Sequence, residues 1–308
     1  MKLITYTAGI EPRIGVVLND GMVIDARDCL EVYLAGRHRQ DAKAEAAFMV
    51  PADMTTLLAR AGGDLSLLSE AVAASKGKGS LSIGSVTLHA PVPRPGKILG
   101  VGRNYGSHAS EGGLLVQDEP RLFVKVGSSV VGPGAVIAYP ALVSKMDWEV
   151  ELGVVIGKPM HNVAQEDALS HVAGYTIIND ISAREFQFDV KPPQTSFAKS
   201  LDGFTPMGPV LLTADELPDP THVTLCCWIN EQLMQKGNTE DMIFSVAYIL
   251  SYISRYMTLE PGDLIATGTP SGVGCFRDPP IYLKTGDNIR MEIPQIGVLE
   301  NSIGDKRR

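Results

Sequence analysis

Short segments in which apolar and polar residues alternate recur along most of the chain, and Gly or Pro residues separate them. A period of two is typical of β-strands with one buried face, and Gly and Pro mark the turns between such strands. The alternation predicts strands at Lys2–Tyr6, Arg13–Leu18, Ile98–Val101, Leu122–Val126, Trp148–Ile156, Ala173–Ile178, Val223–Ile229, Asp263–Ala266 and Ile289–Ile293.

Helical spacing of apolar residues is confined to a few segments. Apolar positions three and four residues apart favour an amphipathic helix, and a pair such as Gly62-Gly63 favours a break between two helices. Asn belongs to the residue types that cap helix N-termini. The predicted helices are one that follows Met54, one over Leu65–Val72, a short one over Gln165–His171 capped by Asn162, and a long one over Asp241–Met257.

This mixture of elements predicts an α+β fold that is mainly β. Residues 1–90 form a small α+β unit in this interpretation, and residues 91–308 form a second, strand-rich domain. The boundary is placed near Pro91–Lys97, because the preceding SKGKGS segment has the composition of a flexible loop and APVPRPG is stiffened by three prolines.

The composition narrows the classes of partner. In 308 residues, 44% are hydrophobic and 20% are charged, which is ordinary for a globular protein. A formal net charge of -8 argues against a nucleic-acid partner, because affinity for phosphates comes largely from clustered Lys and Arg. The composition therefore argues against a nucleic-acid partner, and the hydropathy described next argues against a membrane partner.

The cysteines and the N-terminal residues indicate the cellular compartment in which the protein is expected. The four cysteines form no CxxC pair, which argues against a zinc site or a disulfide scaffold. No segment reaches the ~18 apolar residues of a membrane span, and the N-terminal residues alternate instead of forming the apolar run of a signal peptide. The sequence predicts a cytoplasmic protein.

Three acidic residues occupy alternate positions in DWEVELGVVI, residues 147–156. On a strand, Asp147, Glu149 and Glu151 would share one face. One interpretation is the solvent-facing side of a sheet, where such alternation is normal. The apolar run Val154–Ile156 favours burial instead, and two buried carboxylates ~4 Å apart would repel by roughly 4 kcal/mol at an effective dielectric constant near 20. A hard cation such as Mg²⁺, Mn²⁺ or Ca²⁺ would remove that cost.

Two further segments carry candidate chemistry. The apolar strand at Ala173–Ile178 ends abruptly in Asn179-Asp180, where Asp180 is either a turn or helix-cap residue or a third acid near the first two. In GVGRNYGSHASE, His108 and Glu111 would be neighbours on one helical turn, so the carboxylate would orient an imidazole that takes a proton from water. Taken alone, such a His is more often a surface residue.

Lys199 and a glycine-rich loop are less specific signals. Considered by itself, Lys199 in SFAKS is more often a surface lysine. The segment TGTPSGVG at 267–274 is not a nucleotide-binding P-loop, since no Gly-Lys-Ser/Thr closes it. It is either a tight turn or a set of backbone N–H groups that hold a substrate carboxylate.

Together these segments resemble the fumarylacetoacetate hydrolase family. The matching pieces are GVGRNYGSHASE, FVKVGSSVVGPG, DWEVELGVVIGK, INDISAREFQ, SFAKSLDGF and PGDLIATGTPSGVG, in family order between about Lys97 and Gly274. The resemblance implies a catalytic domain of mixed β-roll type, usually in a homodimer, behind a variable N-terminal domain. Its departures are Glu185, Leu201 and Gly203, where many members carry Asp, Phe and Thr, so the pocket beyond the metal is expected to differ.

The resemblance also implies roles for individual residues. Asp147 matches a position that is not usually a ligand. The implied metal ligands are Glu149, Glu151 and Asp180, the catalytic residues His108, Glu111 and Lys199, and the substrate-binding residues Arg184, Gln187 and Thr269, around Mg²⁺ or Mn²⁺, with Ca²⁺ as an alternative.

The leading functional expectation is metal-dependent hydrolysis of a C–C bond in an acylpyruvate-like or other β-diketone 2-oxo acid. His108 with Glu111 would activate water, and Lys199 would neutralise the developing negative charge. The alternatives are decarboxylation or enol–keto isomerisation of a 2-oxo dicarboxylic acid, a lyase or hydrolase acting on diketo sugar acids, and a binding protein without catalysis. Gly112-Gly113 predicts a mobile lid over residues 112–119.

Overall fold

The computed structural model describes residues 1–113 and 117–306. Over those residues the fold is α+β with more strand than helix, which confirms the predicted class. The helices are α1 Ala26–Gly36, α2 Ala42–Met49, α3 Met54–Ala61, α4 Ser66–Ser75, α5 Gly106–Glu111, α6 Thr195–Ala198 and α7 Val246–Ser254. The strands are β1 Lys2–Thr7, β2 Arg13–Val17, β3 Met22–Asp25, β4 Leu81–Ser82, β5 Thr87–Leu88, β6 Ile98–Gly102, β7 Arg121–Lys125, β8 Val130–Val131, β9 Val136–Tyr139, β10 Met146–Asp147, β11 Val150–Ile156, β12 Val172–Asn179, β13 Ser182–Ala183, β14 Thr205–Thr213, β15 Thr224–Ile229, β16 Gln232–Asn238, β17 Leu264–Ala266, β18 Asn288–Ile293 and β19 Gly297–Lys306.

Most strands within the described ranges belong to one large sheet. Its main path runs β4-β3-β2-β1-β14-β12-β11-β17-β6-β7, with β5 added to β1 and β8 added to β14. A smaller sheet has the order β16-β15-β18-β19-β9, and β10 pairs with β13. The N-terminal strands join the large sheet through β1 and β14, where Lys2 lies opposite Leu212. The division into domains near residue 90 stays a prediction.

The two faces of β11 pack against different layers. Leu152, Val154 and Ile156 belong to a core cluster that includes apolar residues of β15, β18, β19 and α7. Val155, on the other face, belongs to a second cluster with residues of α1, α3 and α4. Burial on both faces explains why the strand ends in a continuous apolar run.

Three predicted elements differ from the structure. The strand expected over Trp148–Ile156 is interrupted, because β10 ends at Asp147 and β11 starts at Val150. The helix expected from Asp241 begins only at Val246, where the Ser245 side chain accepts a hydrogen bond from the backbone N–H of Tyr248. The cap expected at Asn162 is wrong.

Asn162 has a φ of 52°, in the left-handed region, whereas a residue that caps a helix N-terminus has an extended backbone. The segment expected as a short helix contains only a 3₁₀ turn at Ala168–His171. The break predicted at Gly62-Gly63 is confirmed, since α3 ends at Ala61 and Gly62 follows it in the left-handed conformation. Among the described residues, every helix is too short or too polar to span a lipid bilayer.

Candidate active site

The pairing of β11 with β12 brings three carboxylates together. Val150 lies opposite Asn179 in this antiparallel pair, so the residues just outside it, Glu149 and Asp180, are also opposite each other. The backbone N–H of Asp180 donates to the carbonyl of Glu149 at 2.9 Å. The Asn179 side chain accepts a hydrogen bond from the Glu149 backbone N–H at 3.1 Å, which holds this corner of the sheet.

Glu149, Glu151 and Asp180 form a buried cluster. They are 5%, 2% and 0% exposed, and each offers a carboxylate oxygen within 4.8 Å of the others. The solvent-facing interpretation of this strand is therefore wrong, because β11 is buried along its whole length. Oxygen donors at this spacing are the ligands that hard divalent cations take in proteins.

Two lysines neutralise part of this cluster. The Lys199 ammonium contacts the carboxylates of Glu149, at 2.8 Å, and of Asp180. The Lys125 ammonium lies 2.6 Å from the other Asp180 oxygen and donates to the carbonyl of Phe204 at 3.0 Å. Both lysines are 2% exposed, so the surface position expected for Lys199 on its own is wrong. Burial and the neighbouring Lys199 lower the pKa of Lys125.

Arg184 links the cluster to Asp147. Its guanidinium lies 2.8 Å from Asp147 Oδ2 and 2.7 Å from Glu149 Oε1. The same group donates to Gln187 Oε1 at 2.8 Å, from a π-helical turn over Glu185–Asp189. Burial alone would raise the pKa of Glu149, but Lys199 and Arg184 outweigh it and lower the pKa to about 2.

Glu151 differs from the other two acids because it has no cationic partner in the described part of the chain. Its carboxylate accepts a hydrogen bond from the backbone N–H of Gly268 at 2.8 Å. Burial and the charges of Asp180 and Glu149 raise its pKa well above the ordinary value. Four buried acids, Asp147 among them, thus face three buried cations, so one negative charge is left over, and the oxygen donor set fits a divalent cation that would offset it.

The glycine-rich loop at 267–274 holds the protein's own carboxylates. Besides the contact with Glu151, the N–H of Gly272 donates to Glu111 at 3.0 Å and the N–H of Gly274 donates to Asp147 at 2.7 Å. Gly268 has a φ of 102°, and a Cβ there would lie 2.8 Å from the Cβ of Asn104. These three N–H groups are therefore occupied, which argues against the expectation that they bind a substrate carboxylate.

His108 and Glu111 lie next to each other on α5. His108 is 6% exposed, so it is not the surface residue that a lone His usually is. Its Nδ1 is 3.8 Å from Glu111 Oε2, and within the described residues that nitrogen is buried without a hydrogen-bond partner. Burial would raise the pKa of Glu111, but His108 and the Gly272 N–H lower it overall.

A cavity of about 210 Å³ connects these groups. Thr269 lines it, but its hydroxyl donates to the carbonyl of Val150 and accepts from Gln235. Asp180 lies behind this lining, where it contacts both lysines. The cavity is lined by Val101, Gly102, Arg103, His108, Arg121, Phe123, Glu149, Glu151, Arg184, Gln187, Phe188, Pro193, Thr195, Lys199, Thr269 and Phe276.

Sequence reasoning missed several residues of this site. Lys125 contacts Asp180, and the side chain of Asn104 donates to the carbonyls of Phe244 and Thr267, which ties the start of α5 to the glycine-rich loop. The signal for Lys125 is that it shares a strand face with the buried Phe123. Residues 114–116, within the segment predicted as a lid, lie outside the described residues, and the lid stays a prediction.

A family model described as "Fumarylacetoacetate (FAA) hydrolase C-terminal" matches residues 97–304. An oxaloacetate tautomerase of Homo sapiens is 41% identical over 254 residues, which cover 82% of this chain and 80% of the relative. An oxaloacetate tautomerase of Xenopus laevis is 36% identical over 98% of this chain and 90% of its own. Both names include the word mitochondrial, so the cytoplasmic location stays a prediction.

Solved structures agree in fold over the whole chain. The fumarylacetoacetate hydrolase from Exiguobacterium antarcticum has a TM-score of 0.81 at 35% identity, over 99% of this chain and 100% of that one. The maleylpyruvate hydrolase from Sphingobium sp. SYK-6, described as a complex with manganese(II) and pyruvate, has a TM-score of 0.76 at 30% identity and covers both chains fully. This chain is therefore an enzyme of the fumarylacetoacetate hydrolase family.

Proposed function

We propose that this protein catalyses the enol–keto tautomerisation of a 2-oxo dicarboxylic acid such as oxaloacetate. The observation that carries this proposal is the 41% identity with an oxaloacetate tautomerase over four-fifths of both chains. The cavity of about 210 Å³, with cationic and carboxylate side chains in its wall, is consistent with a small, highly charged substrate.

A divalent cation belongs to this proposal. Glu149, Glu151 and Asp180 would hold it, and Mg²⁺ or Mn²⁺ would suit their oxygen atoms. When bound, such an ion supplies a positive charge that polarises the oxygen atoms of a 2-oxo acid. Ca²⁺ remains an alternative because it takes the same kind of ligands.

The buried side chains next to the acidic cluster form the inner end of the cavity, and they would stabilise negative charge and transfer protons. Tautomerisation moves one proton from the enol oxygen to C3, while the C2–C3 double bond becomes a C2–O double bond. The Lys199 ammonium would stabilise the negative oxygen of the intermediate enolate. His108, oriented by Glu111, would transfer a proton at C3. Arg184 and Gln187, which also line the cavity, would position the substrate.

Hydrolysis of a C–C bond is the second candidate, and the His108–Glu111 pair favours it. A buried imidazole next to a carboxylate, with a ring nitrogen that makes no hydrogen bond to the described residues, is an arrangement that can remove a proton from water. A maleylpyruvate hydrolase shares the fold over the whole chain, which supports the same candidate. In this reaction the activated water would attack the carbonyl distal to the 2-oxo acid.

A product analysis separates these candidates. The Mn²⁺-loaded protein is incubated with enol-oxaloacetate and, separately, with an acylpyruvate, and the products are identified by NMR. We expect faster conversion of the enol to keto-oxaloacetate than in a blank that contains Mn²⁺ alone. Pyruvate and a carboxylic acid released from the acylpyruvate, without accelerated ketonisation, would replace the tautomerase by the hydrolase. If neither substrate is converted, the remaining interpretation is a binding protein without catalysis.

A further inference from the structure

We propose that Arg103 and Arg121 bind the second carboxylate of a dicarboxylate substrate at the mouth of the cavity. The inference rests on the proposed function, because it names the class of 2-oxo acid that the same site would select. Both arginines line the cavity that the acidic cluster and Lys199 also line. Neither belongs to the residues to which the family resemblance assigns a role.

The strand register places the two arginines side by side. In the antiparallel pair of β6 and β7, Gly102 lies opposite Arg121, and Arg103 directly follows Gly102. Arg103 has a φ of 62°, in the left-handed region that non-Gly residues rarely adopt. The chain thus turns sharply where β6 ends, and it does so next to the first residue of β7.

One face of β7 runs from the acidic cluster to the mouth. Lys125, Phe123 and Arg121 alternate along the strand and share a face. Lys125 contacts Asp180, and the Phe123 ring centre lies 4.9 Å from the Lys199 ammonium. Arg121 is the next residue on this face, with its Cα ~6.6 Å beyond that of Phe123, and it is exposed where Lys125 is buried.

Their lack of acidic partners distinguishes these arginines from Arg184. The Arg184 guanidinium is engaged by Asp147, Glu149 and Gln187. Within residues 1–113 and 117–306, Arg103 and Arg121 have no carboxylate within 4.0 Å. Burial and the charge of Arg121 lower the pKa of Arg103, so an anion between the two would relieve their repulsion.

The chemistry of the mouth suits a carboxylate. A guanidinium group presents parallel N–H donors that match the two oxygens of a carboxylate. The protein carries a formal net charge of -8, yet the described lining of this cavity has four Arg or Lys side chains and two Glu side chains. Because Lys199 and Arg184 are paired with buried carboxylates, the unpaired positive charge lies at Arg103 and Arg121, where it would draw anions to the cavity mouth. A 2-oxo acid with a second carboxylate would place one charge at each end.

The test compares two ligands of equal chain length that differ at the far end. Binding of 2-oxoglutarate and of 2-oxopentanoate to the Mn²⁺-loaded protein is measured by titration calorimetry. We expect the dicarboxylate to bind about 10- to 100-fold more tightly, the size of hydrogen bonds between charged groups. Arg121→Gln should remove most of this preference, and Arg121→Lys should keep part of it, because the charge remains without the planar fork.

Matched variants keep the test interpretable. Arg121 is exposed on a strand that pairs on one side with β6, so its substitution is compatible with folding, and Arg103→Gln then tests the second position. Arg255→Gln, at an exposed arginine after α7, is the control and should keep the full preference. Equal affinity of the unsubstituted protein for both ligands, or an unchanged preference in Arg121→Gln, would overturn the inference. Because binding is measured without turnover, a preserved preference in a protein that lacks tautomerase activity would refute the proposed function alone.

Discussion

The inner end of the cavity and its mouth are both highly charged, but they differ in how the charges are paired. At the inner end, Lys199, Lys125 and Arg184 each contact buried carboxylates. At the mouth, Arg103 and Arg121 have no such partner in the described chain. Paired charges fix positions, whereas unpaired charges are available to a ligand. We therefore propose that the inner end carries out the chemistry and that the mouth selects the substrate.

The largest effect should follow a loss of charge at the inner end. Glu151→Gln keeps the side-chain shape and can still accept the hydrogen bond from Gly268 N–H, but it removes a charge that a divalent cation needs. We expect turnover to fall to the level of the metal-only blank, and Mn²⁺ no longer to raise the unfolding temperature. Glu149→Ala should also abolish turnover. Glu11→Gln, at an exposed acid, is the control and should behave like the unsubstituted protein.

Removal of the imidazole should have the next largest effect. We expect His108→Ala to slow ketonisation by roughly 10²- to 10⁴-fold, the range found for loss of a positioned acid or base. Binding of Mn²⁺ should not change, because His108 is not among the three acids of the cluster. Steady-state rates and a metal titration check the two parts. Full activity in this variant would exclude His108 from the proton transfer.

Lys199→Met should lower stability as well as activity. The substitution removes the ammonium that Glu149 and Asp180 share and leaves each with a single cationic partner, and removing one partner of a buried ion pair costs about 3–5 kcal/mol. We therefore expect a lower free energy of unfolding in the metal-free variant, and Mn²⁺ should restore part of it. Urea unfolding with and without Mn²⁺ measures both. Lys145→Met, at a half-exposed ion pair with Asp189, is the matched control, and an equal loss there would contradict the account.

A smaller effect is expected for Glu111, which would act on the substrate only through His108. Glu111→Gln retains an oxygen for the Gly272 N–H but loses the charge that orients His108. We expect kcat to fall by about tenfold, which corresponds to about 1.4 kcal/mol of transition-state stabilisation, with little change in KM. An altered KM with an unchanged kcat would mean that Glu111 acts on substrate binding instead.

The pH dependence of stability gives the smallest signal. Burial and the neighbouring acids raise the pKa of Glu151 in the folded state. A raised folded-state pKa contributes stability at pH values below the ordinary pKa of Glu, and this contribution is lost as the pH rises through the folded-state value. In metal-free protein, the unfolding temperature of Glu151→Gln should therefore exceed that of the unsubstituted protein by more as the pH rises. A constant difference would contradict the assignment of this pKa.

The sequence predicts the acidic cluster because local patterns determine it. The two-residue spacing of Glu149 and Glu151 predicts that they share one side of the strand, and Glu149 keeps this position although it lies just before β11. The abrupt end of the next strand supplies Asp180. The interruption before Val150 was not predictable, because Asp147 is drawn to Arg184 and to the N–H groups of the distant glycine-rich loop. Such contacts depend on the tertiary fold and produce no periodic pattern in the local sequence.

The cationic residues of the site were harder to predict for the same reason. A lysine is usually exposed, and the contacts with Asp180 and Glu149 make burial of Lys125 and Lys199 tolerable. The resemblance to the family indicated Lys199 but not Lys125. Arg103 and Arg121 lie 18 positions apart in the sequence, and the pairing of β6 with β7 brings them together. The predicted helix starts were wrong where a single polar residue determines the N-terminus. Ser245 caps α7 later than expected, and Asn162 does not act as a cap.

The central claim is that the buried acids hold a divalent cation on which turnover of a 2-oxo acid depends. The direct measurement is the initial rate of enol-oxaloacetate ketonisation, followed by its ultraviolet absorbance, for chelator-treated protein before and after addition of Mn²⁺, with each metal-only rate subtracted. The account predicts no enzymatic rate before the addition and a saturable rate after it. An equal rate in the chelator-treated protein would contradict the account.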